Sequence, residues 1–124
     1  MVELFRSLLR IVAGLLFMQH GAQKLFGWFG GNAVASWFAF PLGVAGLLEF
    51  FGGILILIGL FTRPVAFILA GQMAVAFWWR HYPNGVWPIQ NGGEPAVLFC
   101  FIFLYLAVVG GGRYGIDGWR KRRR

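Results

Sequence analysis

Four apolar runs leave few folds open to this chain. They extend from about Leu4 to Phe26, Leu42 to Phe61, Val65 to Trp79 and Pro95 to Val109. A helix crosses roughly 30 Å of hydrocarbon with about 20 mostly apolar residues. The last two runs are shorter, and the pair Trp78 and Trp79 suits the headgroup level at which a short span is extended. The chain is 59% hydrophobic and 12% charged over 124 residues, more apolar surface than one small water-soluble core can bury. The expected fold is all-α: an integral membrane four-helix bundle, one domain over residues 1–124.

Charge sets the expected orientation. With four spans the two termini share a side, which holds Arg6, Arg10, Arg63, Arg113 and the tail Arg120, Lys121, Arg122, Arg123, Arg124, while Lys24 and Arg80 lie on the other. This imbalance predicts cytoplasmic termini in a bacterial inner membrane. The net charge of +7 therefore reads as a topological and lipid-headgroup signal, not as a nucleic-acid footprint. Arg6 and Arg10 precede the first run as in a signal sequence, but Gln23, Lys24, Leu25 and Phe26 follow it instead of a cleavage site, so it reads as a retained helix. Cys100 stands alone, so one chain forms neither a disulfide nor a dithiol redox couple.

The links differ in character. "GWFGGNAVASWFAFP" at 27–41 is aromatic and nearly uncharged, an interfacial segment in which Asn32 is placed to open a short helix. "RHYPNGVWPIQNGGEP" at 80–95 carries Pro and Gly punctuation that forbids a long helix. In "FTRP", Pro64 suits the first turn of the third helix and Thr62 is placed to cap it.

Polar residues converge in the outer half. At 100° per residue, Gln19, His20, Gln23 and Lys24 span an arc of roughly 140° on the first helix, a face unsuited to lipid. Glu49 lies about 10 Å below the outer end of the second helix, level with His20, and Gly46 and Gly53 share its face so that a neighbouring backbone can approach. A charged carboxylate in hydrocarbon costs on the order of 2.5–3.5 kcal/mol on insertion scales, so it is kept only when paired, protonated or open to a wet cavity. Lys24 and His20 are the natural partners.

Each of these residues has a plainer reading. Glu49 with Lys24 can be a purely structural lock between two helices, and Lys24 alone can snorkel. His20 and His81 at similar depth invite a haem, but two histidines without further support favour ordinary hydrogen bonding, and no metal site is expected. Arg80 and His81 beside two tryptophans make an interfacial belt. In "NGGEP", Glu94 favours the positive end of the fourth helix and Pro95 its first turn, while Gly92 and Gly93 would also let a ligand approach the backbone near Asn91.

The chain resembles the DoxX family of small four-helix bacterial membrane proteins. The resemblance runs from about Arg6 to Trp119 through Arg10, Gly14, Phe17, Gly21 and Lys24, then "GLLEFFGG", Gly59 and "TRP", then "NGGE" and "GGGRYGIDGW". It implies a bundle in the cytoplasmic membrane and an oxidoreductase or a membrane subunit of one. Some relatives are linked to thiosulfate oxidation with quinone as acceptor, others to redox stress or to quinone and catechol responses. Beside it, the residues suggest an outer cavity for a quinone or similar molecule. Lys24, His20 and Glu49 would do the catalytic proton work. Gln23, Trp28, Trp78, Arg80, Asn91 and Glu94 would contact the substrate, with Phe50 and Trp87 as further walls. The chain supplies no electron carrier, so this reading calls for a redox partner subunit or bound cofactor. A second copy of the chain is left open as a partner. A proton-coupled transporter and a non-catalytic scaffold stand as alternatives.

Overall fold

The structure, a computed structural model, describes residues 1–123; Arg124 at the end of the basic tail lies outside them. The described residues are helical, with no strand among them: α1 (Val2–Phe26), α2 (Leu42–Ile58), α3 (Thr62–Ala76), α4 (Pro88–Asn91), α5 (Glu94–Val109) and α6 (Ile116–Arg123). After α3 the chain stays helical through a π-helical turn, Phe77–His81, and a 3-10 turn, Tyr82–Asn84.

Glycine and proline set most boundaries. α1 stops at Gly27 and α2 at Gly59, both left-handed with φ of 73° and 72°, the conformation glycine adopts without a Cβ penalty. α2 therefore ends three residues short of the expected Phe61. The expected helix in residues 27–41 is absent, and Asn32 caps nothing. Instead, the Val34 N–H and Trp37 Nε1 donate to the carbonyls of Lys24 and Leu25 at 2.7 and 3.2 Å. The link thus folds back and satisfies the carbonyls that α1 leaves open.

Thr62 does not cap α3 either: its Oγ1 is buried without a partner. The cap is Asp117, in the first turn of α6, whose carboxylate accepts the N–H groups of Phe61 and Thr62 at 3.0 and 2.9 Å. A carboxylate at a helix start satisfies open donors and complements the helix dipole. A charged tail hid this helix from sequence inspection.

α1 packs along α2 and α3 along α5, and the two pairs meet along a sparser α2–α3 seam. The α1–α2 contact is backbone to backbone. A Cβ at Gly14 would lie 2.6 Å from Leu57 N, and one at Gly53 would lie 2.7 Å from Met18 N; only glycine permits that approach. Gly46 instead faces the side chains of Leu25 and Lys24. Phe17, Ile56, Leu69, Phe103 and Leu106 fill the centre at 1% exposure or less. The Phe17 ring meets those of Phe99 and Phe103, with centroids 5.2 and 4.9 Å away.

Arg10 departs furthest from its expected role. It is no surface charge marking a membrane side: it is 1% exposed inside the bundle. Its guanidinium donates to the carbonyls of Ile56 and Leu57 at the end of α2, at 2.9 and 2.6 Å, and to those of Gly111 and Tyr114 beyond α5, at 2.9 and 3.2 Å. The planar five-donor fork suits such a task, since one rigid group reaches several acceptors.

The outward faces are apolar. Phe5, Leu8 and Val12 on α1, Phe67, Ile68 and Val75 on α3, and Leu98, Phe101 and Val108 on α5 are all exposed. No helix of the described residues is long and apolar enough to cross a membrane. α2, α3 and α5 have 17, 15 and 16 residues, and the 25-residue α1 carries Arg10, Gln19, His20, Gln23 and Lys24. α2 falls short of its expected run because Gly59 ends it early, whereas α3 and α5 have the lengths of the two shorter runs in the sequence.

Candidate functional site

At the end of the bundle where α1 stops and α2 starts, the seam widens into a cavity of about 530 Å³. Four helices reach it: α1 with Phe17, His20 and Lys24, α2 with Leu48 and Glu49, α3 with Gln72 and Met73, and α5 with Ala96 and Phe99. Trp79, Arg80 and His81 come from the π-helical turn, and Phe40 and Pro41 from the link before α2. The volume lies within the range typical of small-molecule sites, and the lining is mostly apolar with a few converging polar groups.

The polar groups form one cluster. Lys24 Nζ donates to Glu49 Oε1 at 2.7 Å, and Gln72 Nε2 donates to Glu49 Oε2 at 2.8 Å. Each carboxylate oxygen thus has a donor, and the side chain of Glu49 is only 4% exposed. A buried carboxylate survives when a cation and further hydrogen bonds compensate its lost hydration. Lys24 is more open, at 28%. Gln72 Oε1 is buried without a partner. His20 lines the same cavity, its ring edge-on to Phe99 at 6.1 Å. This juxtaposition follows from the glycine-mediated fit of α1 on α2, which sets Lys24 level with Glu49.

Lys24, Glu49, His20 and Arg80 therefore face one cavity, and the other candidate contacts lie elsewhere. Gln23 Nε2 turns to the carbonyl of Phe29 at 3.1 Å. Trp28 packs on Phe26 and Trp78 on Phe77 and Tyr82, and both tryptophans are exposed. Trp79 and Phe40 supply the aromatic wall in their place. Phe50 packs against Phe26, and Trp87 is 66% exposed. Asn91 holds a turn: its Nδ2 donates to Gly85 O and its Oδ1 accepts the Gly93 N–H, each at 2.8 Å. The carbonyl of the same residue sits 3.3 Å from His81 Nδ1. Glu94 is exposed at the start of α5 and does not line the cavity. Sequence reasoning missed Gln72, although it is the one amide in the apolar run from Pro64 to Trp79. Among the described residues no group of three His, Cys, Asp or Glu side chains could hold a metal ion.

Helices of alternating direction around a buried ion pair define a small helical-bundle protein with an internal polar site. The chain belongs to the DoxX family, whose model matches residues 5–82. It is similar to an uncharacterized protein of Haemophilus influenzae, 40% identical over 120 residues, covering 91% of this chain and 88% of the relative. No solved structure matches it.

Proposed function

We propose that the protein is an integral inner-membrane component of a redox complex and that its cavity binds a quinone or quinol. The observation that carries this reading is the inverted placement of polarity: Glu49, Lys24 and Gln72 close on one another inside, beside an apolar cavity, while large hydrophobic side chains cover the outside. Soluble monomers rarely expose contiguous apolar surface on this scale. In lipid that surface is solvated and a charged pair belongs inside.

Four short spans with cytoplasmic termini fit the ends of the bundle. Arg63, Arg113, Arg120 and Lys121 belong to the end bearing α6, whereas Lys24 and Arg80 belong to the cavity end. The cavity lies along the seam between the helix pairs, with the exposed Leu42, Ile68 and Val75 in its lining. A lipid-dissolved ring would enter there from the bilayer, without crossing water.

In this proposal the ring lies against Trp79 and Phe40, with one oxygen toward Lys24 and His20. Reduction of a quinone consumes two electrons and two protons. The protons reach the oxygens through Lys24 and Glu49, whose contact at 2.7 Å permits transfer between them. The electrons come from a partner subunit carrying a flavin, haem or iron–sulfur group, since this chain has a single thiol, Cys100.

The test is titration of detergent-purified protein with a short-chain quinone, read by tryptophan fluorescence and by extraction of co-purified small molecules. Saturable quenching is expected, weakened at least about tenfold by Lys24→Met and unaffected by Trp28→Phe, a ring outside the cavity. Quenching that is unsaturable, or indifferent to Lys24, would sink the proposal. The full saturation of Glu49 by Lys24 and Gln72 also favours a scaffold in which the cluster only locks the helices. That reading predicts no bound quinone but loss of a co-purifying oxidoreductase in the same variants.

A further inference from the structure

A second recess, of about 690 Å³, opens at the opposite end between the start of α1, the α2–α3 link and the chain following α5. Its wall carries four cations, Arg6, Arg63, Arg113 and Lys121, and two carboxylates, Glu3 and Asp117. Both carboxylates are engaged. Glu3 pairs with Arg6 at 3.2 Å and accepts the Arg113 backbone N–H at 2.8 Å, and Asp117 holds the start of α3. Among the described residues, no carboxylate lies within ion-pair distance of Arg63 or Lys121.

Two further features leave this end short of negative charge. Arg6 Nε is buried in the wall without an acceptor. Behind the wall Arg10 adds a buried guanidinium whose hydrogen bonds all go to carbonyls. The recess also has a shaped floor. Gly110 has φ of 81°, and a Cβ there would lie 3.1 Å from Arg63 Nε and 3.6 Å from its Nη2, so the missing side chain leaves the room that the guanidinium occupies.

We propose that this recess binds a phosphate-bearing anion, with Arg63 and Lys121 as its principal cations. The guanidinium fork matches two oxygens of one phosphate, and the ammonium serves as a point charge for a third. The same chemistry is offered by the headgroup of an anionic phospholipid and by soluble phosphate. The site is independent of the quinone cavity, at the other end of the helices.

Thermal unfolding of the full-length protein in neutral detergent separates these sources. The probes are phosphatidylglycerol, phosphatidylcholine as the zwitterionic control, and inorganic phosphate against chloride at equal ionic strength. Phosphatidylglycerol is expected to raise Tm by at least about 3 °C over phosphatidylcholine. A matching rise with inorganic phosphate would identify the soluble anion as a ligand; a rise with the lipid alone would identify the headgroup. Either rise should vanish in the double variant Arg63→Gln, Lys121→Gln and shrink in each single variant. Native mass spectrometry of retained lipid gives a second reading that does not depend on stability, and the parent should retain more phosphatidylglycerol than the double variant. The proposal is overturned if neither probe exceeds its control, or if shift and retention both survive the double substitution.

Discussion

Glu49 and Arg10 are both buried charges, but they are compensated differently, and their substitutions should differ accordingly. Glu49 meets a cation and an amide, so removing Lys24 leaves a buried carboxylate without its cation, at a cost of about 3–5 kcal/mol, while removing Glu49 leaves a partly exposed ammonium and costs less. In unfolding experiments Glu49→Gln and Lys24→Met should each lower stability, and the double variant should lose clearly less than the two losses added together. Additive losses would show that the pair is not coupled. Arg10 donates its hydrogen bonds only to carbonyls, four of them from two segments. Arg10→Lys keeps the charge and loses the fork, and a drop of about 3 kcal/mol in unfolding free energy is expected. The sequence makes Glu49 conspicuous because a lone acid stands out in an apolar run. Arg10 is inconspicuous because an arginine near the start of a first helix already has a topological explanation. Gln72 was overlooked for a related reason: an uncharged amide in an apolar run creates no electrostatic demand that calls for an answer.

At the level of helices, the sequence carries the apolar runs and their glycine and proline stops, and these place α1, α2, α3 and α5 to within a few residues. What it does not carry is which open backbone groups find partners far away. Thr62 stands where a capping residue belongs, yet the acceptor comes from Asp117, 55 residues later; Asn32 likewise stands at a cap position in a link that folds back on α1. Helix packing supplies a paired prediction. Gly53→Ala forces α2 off α1 and should destabilise by about 1–3 kcal/mol. Gly71→Ala, with nothing within 4 Å of the added carbon, should stabilise α3 by about 0.5–1 kcal/mol. Parallel urea or thermal melts decide both, and a neutral Gly53→Ala would contradict the close backbone fit.

For the molecule as a whole, α2 and α5, of 17 and 16 residues, measure about 24–26 Å, short of average hydrocarbon thickness. Under the membrane reading, the protein should be more stable in nanodiscs of short-chain lipid than in those with long acyl chains. Thermal melts across an acyl-chain series would show a maximum at the thin end, and a maximum at the thick end would contradict short spans. The clasp around Arg10 also joins segments that lie far apart in the chain. Two of its acceptors, Ile56 and Leu57, are synthesised within the first half of the chain, whereas Gly111 and Tyr114 lie 101 and 104 residues downstream. The first helical hairpin alone therefore leaves the guanidinium half-satisfied, and the clasp closes only when the segment after α5 docks.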